Sequence, residues 1–241
     1  MRKLAIFVEG QAEFITVREF LLREFGYIAS IECRTLFTAR ELRKAPYDYV
    51  NPTAQCHFQV INVGNDAAVL TRILEREQAM WNAGYEKIVG LRDMYSEAYR
   101  EKARQIDPAI TQRFIDGAND TLRQKAKFPE KIRFCFAIME VEAWFLGMLT
   151  LFRKLDARLT VEYIKTHLQF DLAALDPETA FFHPAVRMDD IYQLVGRRYD
   201  KHQGDIEALA SYLAKEDYTN LLASGKCHTF ELFYRALEIQ A

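Results

Sequence analysis

Acidic residues stand where three short apolar runs stop. Leu4–Val8 runs into Glu9–Gly10 within "FVEGQAEF", "KIVGL" runs into Arg92–Asp93, and "IRFCFAIM" runs into Glu140. Glu13 follows closely on Glu9, and Glu142 on Glu140. Carboxylates brought together from distant parts of a chain have a chemistry of their own. Two of them about 5 Å apart repel by roughly 3 kcal/mol at an effective dielectric of about 20, and three in mutual contact oppose folding by about 10 kcal/mol. That rivals the whole stability of a domain. Such a group needs protons or a cation. Hard carboxylate oxygens favour Mg²⁺ or Mn²⁺, and such ions can clamp a phosphodiester during an in-line displacement. Each acid also has an ordinary reading. Glu9 and Glu13 suit a helix N-terminus, Asp93 suits a turn or N-cap, and one of Glu140 and Glu142 suits a cap.

The elements that must position these acids read as alternating strands and helices. "KLAIFV" is a short apolar run closed by a glycine turn, as expected of a buried strand. Phe14, Val17, Leu21 and Phe25 follow at helical spacing and stop before Gly26. "HFQVINVG" predicts a second strand and the stretch from Asp66 to Gly84 a second helix. "KIVGL" and "IRFCFAIM" predict strands three and four, with a helical insertion over about 97–129 between them. This alternation predicts an α/β fold with a mainly parallel sheet flanked by helices. Ligands of such sheets sit beyond the C-terminal strand ends, where Glu9, Asp93 and Glu140 fall. The expected organisation is an α/β domain over 1–149 and a helical C-terminal extension over 150–241, packed on the first.

Composition narrows the classes. Half of the 241 residues are hydrophobic and 27% are charged, the signature of a folded globular chain. The net charge of −2 argues against a general nucleic-acid coat. It leaves room for a nuclease, whose positive charge comes from a local patch or from bound ions. Cys33, Cys56, Cys135 and Cys227 are far apart and lack zinc-site spacing, so each is expected to be a small buried apolar residue. No leader-like segment and no membrane-length apolar run is seen, so the chain is expected to be cytoplasmic and without a membrane partner. No Walker loop or nucleophile elbow occurs.

The motifs carry a family resemblance. "VEGQAE" after the first strand, Asp93 after a later one, and "MEVEAWFL" after the next resemble a TOPRIM-like family of prokaryotic proteins. That family is similar to the catalytic half of the OLD (overcoming lysogenisation defect) nucleases and is often encoded beside an ATPase in anti-phage defence loci. "PE", "HP" and "Y-x-K" in its helical tail match Pro177–Glu178, His183–Pro184 and Tyr199–Lys201. The resemblance implies a TOPRIM-like, Rossmann-like fold. It implies a metal site at Glu9, Asp93 and Glu140 with Glu13 and Glu142 assisting. The sequence departs from the general pattern at Tyr95, where a TOPRIM domain carries the second acid of Asp-x-Asp; Glu97, Glu140 or Glu142 would have to supply it.

The expected activity is therefore Mg²⁺- or Mn²⁺-dependent hydrolysis of DNA or RNA. The chain would serve as a defence effector or toxin, switched by a separate ATPase subunit. Lys201 is the candidate for stabilising charge on the phosphate, or else a solvated lysine. The basic run Arg123–Arg133 could track a nucleic-acid backbone, or be a solvated face. Two other classes stay open: a non-catalytic metal-binding regulatory partner of an ATPase, and a different phosphate chemistry on a similar sheet.

Overall fold

The computed structural model describes residues 1–38, 41–64 and 68–238. In chain order the elements are β1 (Arg2–Val8), α1 (Gln11–Phe25), β2 (Ala29–Leu36), β3 (Leu42–Lys44), β4 (Cys56–Asn62), α2 (Val69–Asn82) and β5 (Lys87–Asp93). Then come α3 (Glu97–Arg100), α4 (Pro108–Lys125), a 3₁₀ turn over Pro129–Lys131, and β6 (Ile132–Ala137). The remainder is helical: α5 (Glu142–Gly147), α6 (Leu151–Leu155), α7 (Val161–Leu168), α8 (Pro177–Ala180), α9 (Pro184–Gln193), α10 (Gln203–Ser211), α11 (Lys215–Ser224) and α12 (His228–Leu237). The chain is α/β, with a mostly parallel sheet of six strands in the order β3-β2-β4-β1-β5-β6.

Two compact units are present. The first comprises Met1–Arg92, Gln112–Phe136 and the chain from Phe233, and the second comprises Asp93–Thr111 and Ala137–Leu232. In the first, β1 lies between β4 and β5 and is parallel to both, with Val8 in register with Asn62 and with Leu91. Its residues from Leu4 to Val8 are buried on both faces, which is why it reads as an unbroken apolar run and not as an alternation. Ala5, Phe7, Ile61 and Ile88 pack with Val69, Ile73 and Met80 of α2 and Leu122 of α4. A separate aromatic group forms around α1, where Phe25 lies 5.5 Å from Phe58 and Phe20 lies 6.0 Å from Phe233. Gly90 of β5 is there for space. A Cβ at that position would stand 2.6 Å from Phe134 and 2.7 Å from Ile73, so a larger residue must push these side chains apart.

Two strands escape the sequence pattern. β2 alternates buried Ala29, Ile31 and Cys33 with half-buried Ser30, Glu32 and Arg34, so Ile31 is the one large apolar side chain on its buried face. β3 is a three-residue antiparallel edge carrying Arg43 and Lys44. Charge of this kind on an edge strand discourages pairing with another chain. The predicted strand at "HFQVINVG" is β4, ending at Asn62. Asp66, where the sequence begins the second helix, lies outside the described residues.

The second unit is helical apart from the ends of β5 and β6. Every residue of α5 is buried, and α5 packs against α8 and α9. Gly147 permits this, because a Cβ there would come within 2.7 Å of Leu221 and 3.0 Å of Cys227. No helix among the described residues is long and apolar enough to cross a membrane. All four cysteines are buried and unpaired with one another, and burial pushes the Cys33 and Cys135 thiols up to about 12. At neutral pH they are not nucleophiles.

Candidate functional site

The predicted acids divide between the two units. Glu9 and Glu13 belong to the first. Glu9 follows β1 and is half-buried. Glu13 sits in the first turn of α1, and its Oε2 accepts a hydrogen bond of 2.9 Å from the Gly10 N–H. That contact satisfies one of the donors a helix start leaves open and places a negative charge at the positive end of the helix. The capping role that the sequence allows for Glu13 is therefore present.

Asp93, Glu140 and Glu142 meet in the second unit. All three are buried, Glu142 completely. Asp93, the last residue of β5, accepts from the Val141 N–H at 3.1 Å. Glu140 accepts from the Ala185 N–H of α9 at 2.9 Å. Glu142 accepts from the Tyr199 hydroxyl at 2.9 Å. Lys201 ties the group together, its Nζ lying 2.7 Å from Glu140 Oε1 and 3.2 Å from Glu142 Oε2. Burial alone would push the Lys201 ammonium down. The fields of Glu142, Asp93 and Glu140 outweigh it and hold the group well above the usual lysine value. Lys201 is therefore a permanent cation. Burial first, and the neighbouring Glu142 second, hold the Tyr199 phenol well above its usual value, so it remains a donor.

The backbone at this site is unusual. Met139, directly before Glu140, and Lys201 both adopt left-handed conformations, with φ of 59° in each. A side chain in that region costs about 1 kcal/mol or more relative to ordinary geometry. Neither residue is the glycine or asparagine that normally occupies it. Tyr95 stands where a second acid was expected, and packs edge-on against Phe182 at 5.6 Å and His183 at 5.1 Å. His183 directly precedes α9, the helix that presents the Ala185 N–H to Glu140. Tyr95 thus supports the site through its ring. Glu97, the other suggested source of that acid, is exposed in the first turn of α3.

Arg197 and Arg198, close in the chain to Lys201, are held in local structure. The Arg197 guanidinium donates to the Leu155 carbonyl at 3.2 Å, and Arg198 lies 3.6 Å from Asp189. Among the described residues, no group of three or more His, Cys, Asp or Glu side chains is arranged to hold a metal ion. Lys201 occupies oxygens of two of the acids that an ion would use. The donor set itself is all oxygen and anionic, with one ammonium facing three carboxylates, and its chemistry suits a hard divalent cation.

One buried group has no place in the predicted site. Glu178, on α8, accepts from Trp144 Nε1 at 3.0 Å, from the Thr229 N–H at 3.0 Å and from the Thr229 hydroxyl. Burial raises its carboxyl from the ordinary 4.5 to about 7, against the pull of the hydrogen bonds from Thr229 and Trp144. In the sequence it is visible only as the acid of "PE"; nothing in the spacing marks it as buried. A raised value means that the folded state keeps a proton the unfolded chain releases. Stability from this group is complete below about pH 4.5 and is lost as the pH rises through about 7, a total of about 3 kcal/mol. Urea unfolding between about pH 5 and pH 8 should show this fall in the wild type, and a flatter profile in Glu178→Gln.

The chain matches no family model, no curated protein and no solved structure.

Proposed function

We propose that the chain is a divalent-metal-dependent nuclease that hydrolyses phosphodiester bonds in nucleic acid, in the TOPRIM-like manner its motifs resemble. The observation that carries this reading is the buried pair Glu140 and Glu142 on the Lys201 ammonium, with buried Asp93 near enough for its field to act on the same group. Burying several like charges together opposes folding, and a site of this composition selects for cations. Asp93, Glu140 and Glu142 would hold Mg²⁺ or Mn²⁺, and Glu9, expected from the sequence to share in this, is tested by its own variant. A bound ion of this kind acidifies a water and polarises a phosphate oxygen.

The chain's own residues supply the rest. The Tyr199 hydroxyl and the Ala185 N–H fix the Glu142 and Glu140 carboxylates, so their oxygens need little reorganisation on binding. Lys201, always charged, would meet a non-bridging phosphate oxygen as negative charge builds up there. A place in anti-phage defence and control by a separate ATPase subunit follow from the resemblance and form part of the proposal. A second reading is favoured by Lys201 itself. Its ammonium already binds two of the acids, as in a purely structural ion pair, and the chain would then be a non-catalytic partner.

Cleavage of plasmid DNA and of RNA, with Mn²⁺ or with EDTA, decides between them. The wild type should cut only with the metal. Asp93→Asn should lose about a hundredfold or more in rate while keeping its fold, and Glu9→Gln tests the role the sequence suggests for Glu9. A wild type that cuts nothing, or an Asp93→Asn protein that cuts as well as the wild type, would refute the nuclease.

A further inference from the structure

The basic run between α4 and β6 is built around an exposed aromatic ring. Arg123, Lys125, Lys127, Lys131 and Arg133 are all exposed. Among the described residues only Arg123 of these forms an ion pair, with Asp120. Counting Asp120 and Glu130 as the acids of this stretch, three positive charges are left in a chain whose net charge is −2. Glu77 of α2 meets the run at its backbone. Glu77 is buried, and its carboxylate accepts from Trp81 Nε1 at 3.2 Å and from the Lys127 backbone N–H at 3.1 and 3.2 Å. Its work is to pin the turn to α2.

Phe128 stands on that pinned turn, 40% exposed. It meets Trp81 edge-on at 6.2 Å, and the Lys131 ammonium lies 4.8 Å from its ring centre. Lys127 Nζ donates to the neutral amide of Gln78 at 2.8 Å. A solvated lysine face has no need of an exposed phenyl ring set against Trp81 in its middle. A surface for single strands has that need, because cations follow the phosphates while the ring stacks an unpaired base. In a duplex the bases are already stacked on one another and offer no free face. The pinned turn also limits the ordering cost of binding.

We propose that Lys125, Lys127, Phe128 and Lys131 form a docking surface for single-stranded nucleic acid. This deepens the nuclease reading by naming the form of the substrate, and it rests on that reading for the purpose of the surface. Binding can be measured without cleavage, by fluorescence anisotropy of the full chain with a labelled oligonucleotide of about 16 nucleotides in EDTA over a range of salt. The wild type should bind the single strand more tightly than a blunt duplex of equal length. The K125A/K127A/K131A variant should weaken binding and lower the salt slope by about 2. F128A should bind about tenfold more weakly with its salt slope unchanged. Thermal melting of both variants checks the fold. Normal binding by both variants, equal or tighter binding of the duplex, or no binding by the wild type would overturn the proposal. A protein that binds in EDTA but never cuts with Mn²⁺ sinks the nuclease and leaves this surface standing. One that cuts, while its surface variants bind normally, does the reverse.

Discussion

Replacing Asp217 by Ala should destabilise the protein by about 2–3 kcal/mol, less than breaking a fully buried charge network costs because its partners reach solvent. Asp217 has no solvent exposure. Its carboxylate pairs with the Lys154 ammonium, accepts from the Thr150 hydroxyl at 2.5 Å, and accepts from the Ala214 N–H at 2.7 Å. One side chain thus closes the start of α11 and joins it to α6 and the residue before it. Removing it returns the exposed Thr150 hydroxyl to water and leaves the half-buried Ala214 N–H to find a new partner, a loss that costs about 1–3 kcal/mol. Lys154 is 35% exposed and can turn to water, so the cation adds less. Urea unfolding followed by far-UV circular dichroism reads the result. A loss below about 1 kcal/mol would show that water replaces the network without difficulty.

Lys201→Met should cost about 2–3 kcal/mol, near the lower end for a buried pair because the lysine side chain is 32% exposed. For a chain of this length that lowers the melting temperature by about 5–10 °C. The reason is electrostatic. Glu140, Glu142 and Asp93 all act on the Lys201 ammonium, and a methionine of similar length keeps the packing while removing the charge. The same substitution frees the carboxylate oxygens that Lys201 holds. Added Mn²⁺ should therefore raise the melting temperature of Lys201→Met more than that of the wild type. A variant that melts like the wild type, or that gains nothing from Mn²⁺, would show that Lys201 is not the cation on which the acids depend.

The sequence made β1 and β5 legible because burial on both faces leaves a nearly continuous apolar run, and the edge strand β6 because its second half is buried. Leu4–Val8, "KIVGL" and "IRFCFAIM" correspond to β1, β5 and β6, which are neighbours in the sheet. β2 and β3 were not legible. Small residues and alternating charge give β2 a weak apolar signal, and β3 is too short to have a period. At the site, position after a strand was enough to single out Asp93 and Glu140, and proximity to Glu140 brought in Glu142. What position does not give is the partner. Lys201 is 61 residues from Glu140, and only the fold of the second unit brings them together. Nor does position tell a cap from a ligand, as Glu13 shows by closing on Gly10. The aromatic residue at Tyr95 reads as a missing acid in the sequence and as a packing ring in the fold.

Calorimetric titration of Mn²⁺ into the wild type and into the Glu140→Gln/Glu142→Gln double variant puts the acidic group to its plainest test. If these carboxylates serve an ion, the wild type shows saturable binding at submillimolar Mn²⁺ and the double variant, still folded, shows none. Absence of saturable binding to the wild type, or binding that survives both substitutions, would contradict the metal site and the nuclease built on it.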